Sequence, residues 1–160
     1  MNYSSLTYKD TLQGFGVRTV LAVSGCCNNC NNCPNLFAQD PEYGHKFTEE
    51  TVEEIVKSLD DDSVNGLIIT GGDPLYPGNR QKILELTRTI KAIFGKDKSI
   101  LMYTGYTLKD IQSWDDVDLD ELMQYIDVLF EGRNEKKRCL ELHFNGTEIE
   151  SRQIYLEGCK

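Results

Sequence analysis

The chain has 160 residues, 39% of them hydrophobic, which is enough to fill one core, so residues 1–160 are expected to form a single domain. Twenty-six acidic residues against 17 Lys and Arg give a formal net charge of −9; a surface that acidic repels polyanions, and no basic run besides Lys136, Lys137 and Arg138 could form a stripe, which argues against direct nucleic-acid binding. The polar start, Met1 to Asp10, has no apolar export segment and the longest apolar runs are only strand-sized, so no membrane span and a cytoplasmic location are expected.

Along the chain, short apolar runs with β-branched residues recur at Thr19–Ser24, Gly66–Thr70, Ser99–Tyr103 and Ile126–Phe130, each the length of a strand buried on both faces. Helical patterns lie between them. Val52, Ile55, Val56 and Leu59 repeat at helical spacing behind Thr48, an N-cap candidate, with Glu49 and Glu50 suited to the positive helix end. Ile83, Leu86, Ile90 and Ile93 mark a second helix that Gly95 can end. A third helical region spans Thr107 to Tyr125, broken around Trp114–Asp118, and the tail from Glu135 onward has no period. Strands alternating with helices predict an α/β fold with a mainly parallel sheet, whose ligands gather at the carboxyl ends of the strands. Function is therefore to be sought in the loops Gly25–Asn35, Gly71–Gly78, Thr104–Tyr106 and Glu131–Asn134.

Four of the six cysteines fall between Cys26 and Cys33, crowding that favours metal ligation over disulfides. Cys26, Cys30 and Cys33 have the spacing C-x3-C-x2-C. Three thiolates in one loop can wrap an iron–sulfur cubane and leave its fourth iron open, whereas structural and electron-carrying sites are normally closed by four ligands. The alternative is a zinc knuckle with Cys27 or His45 as fourth ligand. Adjacent Cys26 and Cys27 would point to opposite sides of an extended chain, so Cys27 reads as a bystander. Cys139, Cys159, His45 and His143 read as ordinary side chains. No catalytic acid–base pair is identifiable.

The strand end Thr70-Gly71-Gly72-Asp73-Pro74 is the second feature. Paired glycines let backbone approach a ligand, and free carbonyls with the Asp73 carboxylate could accept hydrogen bonds from an ammonium group. The same residues are equally good chemistry for a tight turn.

The two loops together resemble the radical S-adenosylmethionine superfamily. Gly14-Phe15-Gly16-Val17-Arg18, Phe47-Thr48, Gly71-Gly72-Asp73-Pro74-Leu75-Tyr76-Pro77, Tyr103-Thr104-Gly105-Tyr106 and Glu131-Gly132-Arg133 narrow the resemblance to the anaerobic ribonucleoside-triphosphate reductase activating family. It runs from about Gly14 to Arg133. The resemblance implies a compact partial (β/α) barrel with a 4Fe–4S cluster on Cys26, Cys30 and Cys33 and S-adenosylmethionine as second cofactor. It implies contacts from Gly71, Gly72 and Asp73 to the methionine end of that molecule, and from the backbone around Asn32, Cys33 and Pro34 to its adenine. Family members usually carry Gly and an aromatic residue where Asn32 and Pro34 stand, so no aromatic stacking is available at Pro34. Phe15 replaces the proline of the usual Gly-Pro-Gly, and the usual Gly-Ser…Asn-Gln-Arg ending is only echoed by Gly146-Thr147 and Arg152-Gln153. The implied activity is radical generation on a glycine of the reductase large subunit, driven by an external electron donor.

Overall fold

A computed structural model describes residues 1–133 and 137–155. Eight strands form one sheet: β1 (Asn2–Asp10), β2 (Arg18–Val23), β3 (His45–Lys46), β4 (Gly66–Gly71), β5 (Ser99–Tyr103), β6 (Val128–Glu131), β7 (Arg138–Phe144) and β8 (Ile149–Ile154). Four α-helices accompany them among the described residues, α1 (Glu49–Leu59), α2 (Arg80–Phe94), α3 (Leu108–Ser113) and α4 (Val117–Tyr125), with a short 3-10 helix at Leu36–Gln39. The strand order is β3-β1-β2-β4-β5-β6-β7-β8.

The α/β class holds, but the sheet is not mainly parallel. β2, β4, β5 and β6 run parallel, whereas β1 with β2, β1 with β3, β6 with β7 and β7 with β8 pair antiparallel. The four parallel strands are those the apolar runs predict, because strands covered on both faces are apolar throughout. The added strands are half-covered. β1 reads NYSSLTYKD and has no fully buried residue, and β8 carries exposed Glu150, Ser151, Arg152 and Gln153.

The helices follow the expected local signals. Thr48 forms a capping box with Thr51 at the start of α1, whose Ile55 and Leu59 are buried. α2 buries Ile83, Leu86 and Ile90 and ends at Gly95, which takes φ +56°. Ile93 is exposed instead of completing the stripe; Phe94, four residues beyond Ile90, packs on the core in its place. The third helical region is split into α3 and α4, the second capped by Asp116, whose carboxylate accepts from the N–H groups of Asp118 and Leu119.

Strand alternation divides the sheet into two faces. Leu21, Val23, Leu67, Ile69, Ile100, Met102 and Leu129 meet the helices in the main core. Val20, Ile68, Leu101, Val128 and Phe130 point the other way and form a smaller cluster with Cys139 of β7. Gly14 closes over that second face so tightly that a Cβ there would lie 2.8 Å from Leu101. Cys139 is an ordinary core residue, while Cys159, Lys136 and Asn134 lie outside the described residues. Among the described residues no helix is long and apolar enough to cross a membrane.

Candidate functional site

A cavity of about 400 Å³ opens where the carboxyl ends of the parallel strands meet the sheet face opposite the helices. All four expected loops contribute: Cys26, Cys30, Cys33 and Pro34 from the first, Gly71 and Gly72 from the second, Thr104 and Gly105 from the third, Gly132 and Arg133 from the fourth. Val20, Ala22 and Tyr103 of the sheet form part of its floor.

The cysteine loop is coiled by residues that accept a left-handed backbone. Gly25 takes φ +98°, and Asn29 and Asn32 take φ +43° and +56°, a region Asn tolerates better than other non-glycine residues. The loop is tied down at its start, where the Gly25 N–H donates to the Ala38 carbonyl at 2.8 Å and the Asp73 N–H donates to the Gly25 carbonyl at 2.8 Å. Gly72 is required by this close approach, since a Cβ would fall 2.5 Å from both the Gly25 and Ala38 carbonyl oxygens. Asn79, buried at the start of α2, donates from Nδ2 to the carbonyls of Ser24 and Asp73 and locks the two loops together.

Three thiols therefore face one cavity. Cys27 is exposed and outside it, and His45 sits on β3 against Tyr3, so neither joins the other three as the fourth ligand of a zinc knuckle. Among the described residues no three His, Cys, Asp or Glu side chains converge as they would on a single ion. A cubane asks for something different: each of its separate irons takes one thiolate, which suits thiols spread around a cavity wall, so the donor set fits. Burial pushes the Cys26 thiol pKa up, while the Asn28 N–H, 3.4 Å from its sulfur, pulls it down.

Among the described residues no carboxylate lines the cavity, although the chain is strongly acidic, whereas Arg133 and Lys137 both do. Asp73, expected to contact a ligand, is set behind the wall with 1% of its surface exposed. Its Oδ1 accepts from the Leu75 N–H and the Thr104 hydroxyl, both at 2.9 Å. Its Oδ2 accepts from Asn28 Nδ2 at 2.6 Å and the Gly105 N–H at 3.0 Å. Burial raises its pKa, and these four bonds oppose the rise. Asp73 thus clamps the first, second and third loops to one another. Asn32, also expected at the ligand, is exposed at its left-handed turn and does not line the cavity. In the fourth loop Glu131 is buried, accepts the Leu108 N–H at the start of α3 and pairs with Arg138, which fixes the strand end that carries Gly132 and Arg133.

Asn28, Asn79 and Thr104 are the site residues that sequence reading missed. Their bonds join segments 31 to 55 residues apart, so the only hints were the position of Asn28 between two cysteines and that of Thr104 in an expected loop.

Residues 12–152 match the family model described as a 4Fe-4S single cluster domain. The chain is 39% identical over 136 residues to a protein of Enterobacteria phage T4, spanning 85% of this chain and 83% of that one. It is 36% identical over 135 residues to one from Vibrio cholerae, spanning 83% and 84%. It is 34% identical over 136 residues to one from Escherichia coli K12, again spanning 83% and 84%. All three are named anaerobic ribonucleoside-triphosphate reductase-activating protein.

Proposed function

The chain belongs to the family of anaerobic ribonucleoside-triphosphate reductase-activating proteins, and from that premise we propose that it cleaves S-adenosylmethionine reductively at a 4Fe–4S cluster to generate a glycyl radical on the large subunit of such a reductase. The observation that carries the reading is the single cavity shared by Cys26, Cys30 and Cys33 with the Gly71-Gly72 turn. It is supported by a parallel strand quartet whose carboxyl ends open on that cavity, the arrangement expected of one compact partial (β/α) barrel of the radical S-adenosylmethionine type.

In this reading Cys26, Cys30 and Cys33 each hold one iron as thiolate, and the fourth iron has no protein ligand. The bound pair of cofactors supplies the chemistry: one electron breaks a carbon–sulfur bond, giving methionine and a 5′-deoxyadenosyl radical that takes a hydrogen atom from the partner's glycine. The work of the chain is to bind, orient and shield. Gly71 and Gly72 bring backbone close to the methionine end, and the backbone of Cys33 and Pro34, which line the cavity, meets the adenine. Val20, Ala22 and Tyr103 offer an apolar floor that keeps water from a reactive intermediate. Arg133 and Lys137 bring positive charge to the anionic thiolate cluster. The partner's glycine loop completes the walls, and the electron comes from an external donor in the cytoplasm.

Anaerobic reconstitution tests the cofactor assignment. About four irons and as many sulfides per chain are expected, and reductant with S-adenosylmethionine should release 5′-deoxyadenosine. Cys26→Ala, Cys30→Ala and Cys33→Ala should each lose the cluster while Cys27→Ala keeps it. A full cluster in all three, or its loss in the Cys27 variant alone, contradicts the ligand set.

A further inference from the structure

We propose that Leu36, Phe37 and Tyr43 form an apolar seat on which the large subunit of the reductase docks, beside the cavity that its glycine loop must enter; the inference rests on the activating role proposed above. Leu36 and Phe37 sit in the 3-10 helix that follows the cysteine loop and are 64% and 75% exposed. The Phe37 ring stacks on that of Tyr43, itself 43% exposed, with centroids 5.7 Å apart and planes 23° from parallel. Single exposed apolar side chains are ordinary on a protein surface, but a packed group of bulky ones marks a place where another molecule sits. None of the three belongs to either core cluster, so burial within this chain does not account for their apolar character.

Three observations select the occupant. Pro34 and Asn35 line the cavity and run directly into Leu36, so a protein that inserts a loop past Pro34 is brought onto the seat. The Gly25 and Cys26 N–H groups donate to the Ala38 and Gln39 carbonyls at 2.8 and 3.2 Å. The seat is thereby fixed relative to the thiols, and a partner resting on it is held in register with the chemistry. Finally, the stretch from Thr19 to Gln39 contains no Asp, Glu, Lys, Arg or His, in a chain of net charge −9. An electron carrier that docks briefly is steered by charge, whereas a neutral aromatic surface suits a partner held by buried apolar contact. Covered by that partner, Leu36 and Phe37 also keep water from the mouth of the cavity.

The test is anaerobic calorimetry of the reductase large subunit against reconstituted wild type, Phe37→Ala and Leu36→Ala, the last leaving the ring stack intact if the first loosens the segment. Val117→Ala is the control, at a 79% exposed residue of α4 on the helix side of the sheet, away from the cavity. Iron, sulfide, sedimentation and 5′-deoxyadenosine release without the reductase are measured alongside. Both seat variants should keep the cluster, cleave S-adenosylmethionine as wild type does and bind the large subunit about tenfold or more weakly, while Val117→Ala matches wild type. Unchanged affinity in both overturns the proposal. Loss of the cluster in both also overturns it, by making the segment a support of the cysteine loop. So does dissociation of a wild-type oligomer with reductase binding unchanged, which assigns the seat to a second copy of the chain. If wild type cleaves S-adenosylmethionine at an intact cluster and yet does not bind the large subunit, the activating role itself fails and takes this proposal with it.

Discussion

Replacing Asp73 by Asn should lower the stability of the cluster-free protein by about 2–4 kcal/mol, although the two side chains have nearly the same shape. The change turns one of two buried oxygens into an NH2 group that faces donors: either Leu75 N–H and the Thr104 hydroxyl, or Asn28 Nδ2 and Gly105 N–H. One hydrogen bond is lost whichever way the amide turns, because the Leu75 or Gly105 N–H cannot accept from the NH2 group while the Thr104 hydroxyl or the Asn28 amide oxygen can, and the three bonds that remain lose their charged partner. A lost bond to a charged group costs roughly 1.5–3 kcal/mol and each bond reduced to the neutral range about 0.5–1 kcal/mol, giving a gross loss of about 3–6 kcal/mol. Part is recovered because the neutral amide escapes the burial penalty that raises the Asp73 pKa. Urea unfolding followed by circular dichroism under reducing, anaerobic conditions measures the difference, provided the slope with denaturant is unchanged. A loss below about 1 kcal/mol would refute the claim that this carboxylate clamps three loops.

Two further substitutions probe the frame around the site. Gly71→Ala should cost about 3 kcal/mol or more in the same assay, because Gly71 takes φ +110° and a Cβ would sit 2.3 Å from the Val23 carbonyl oxygen. Gly95→Ala, at φ +56° with no atom within 4 Å of the new Cβ, should cost only about 1 kcal/mol; equal losses would mean that close approach is not what requires glycine at Gly71. Ile55→Ala should cost about 2–5 kcal/mol by opening a cavity under a fully buried side chain, and a smaller loss would show that α1 can collapse onto the sheet.

The parallel heart of the fold was legible because strands covered on both faces must be apolar, and Ser99–Tyr103 was read with the bounds it has in the structure. β1 was not. Its alternation of Leu6 and Tyr8 with Ser5 and Thr7 is weak, since one side lines a polar cavity rather than a core. The β7–β8 hairpin was hidden by polar outward residues such as Glu141, His143 and Glu150. Antiparallel flanks leave no trace in a strand–helix alternation, so the sheet was expected to be more parallel than it is. At the site, loops could be assigned from strand ends alone and the thiols from spacing. The direction of Asp73 could not, because whether a carboxylate faces ligand or protein depends on Thr104, Gly105 and Asn28, brought to it by tertiary structure.

The most direct test of the central claim is electron paramagnetic resonance on the anaerobic mixture of reconstituted protein, reductant, S-adenosylmethionine and the anaerobic reductase large subunit. A glycyl-radical signal should appear on the large subunit, with 5′-deoxyadenosine and methionine formed alongside. Changing the acceptor glycine to alanine should abolish the signal while the two proteins still associate. If S-adenosylmethionine is cleaved at an intact cluster and yet no radical appears on the reductase, the protein acts on another target and the activating role is wrong.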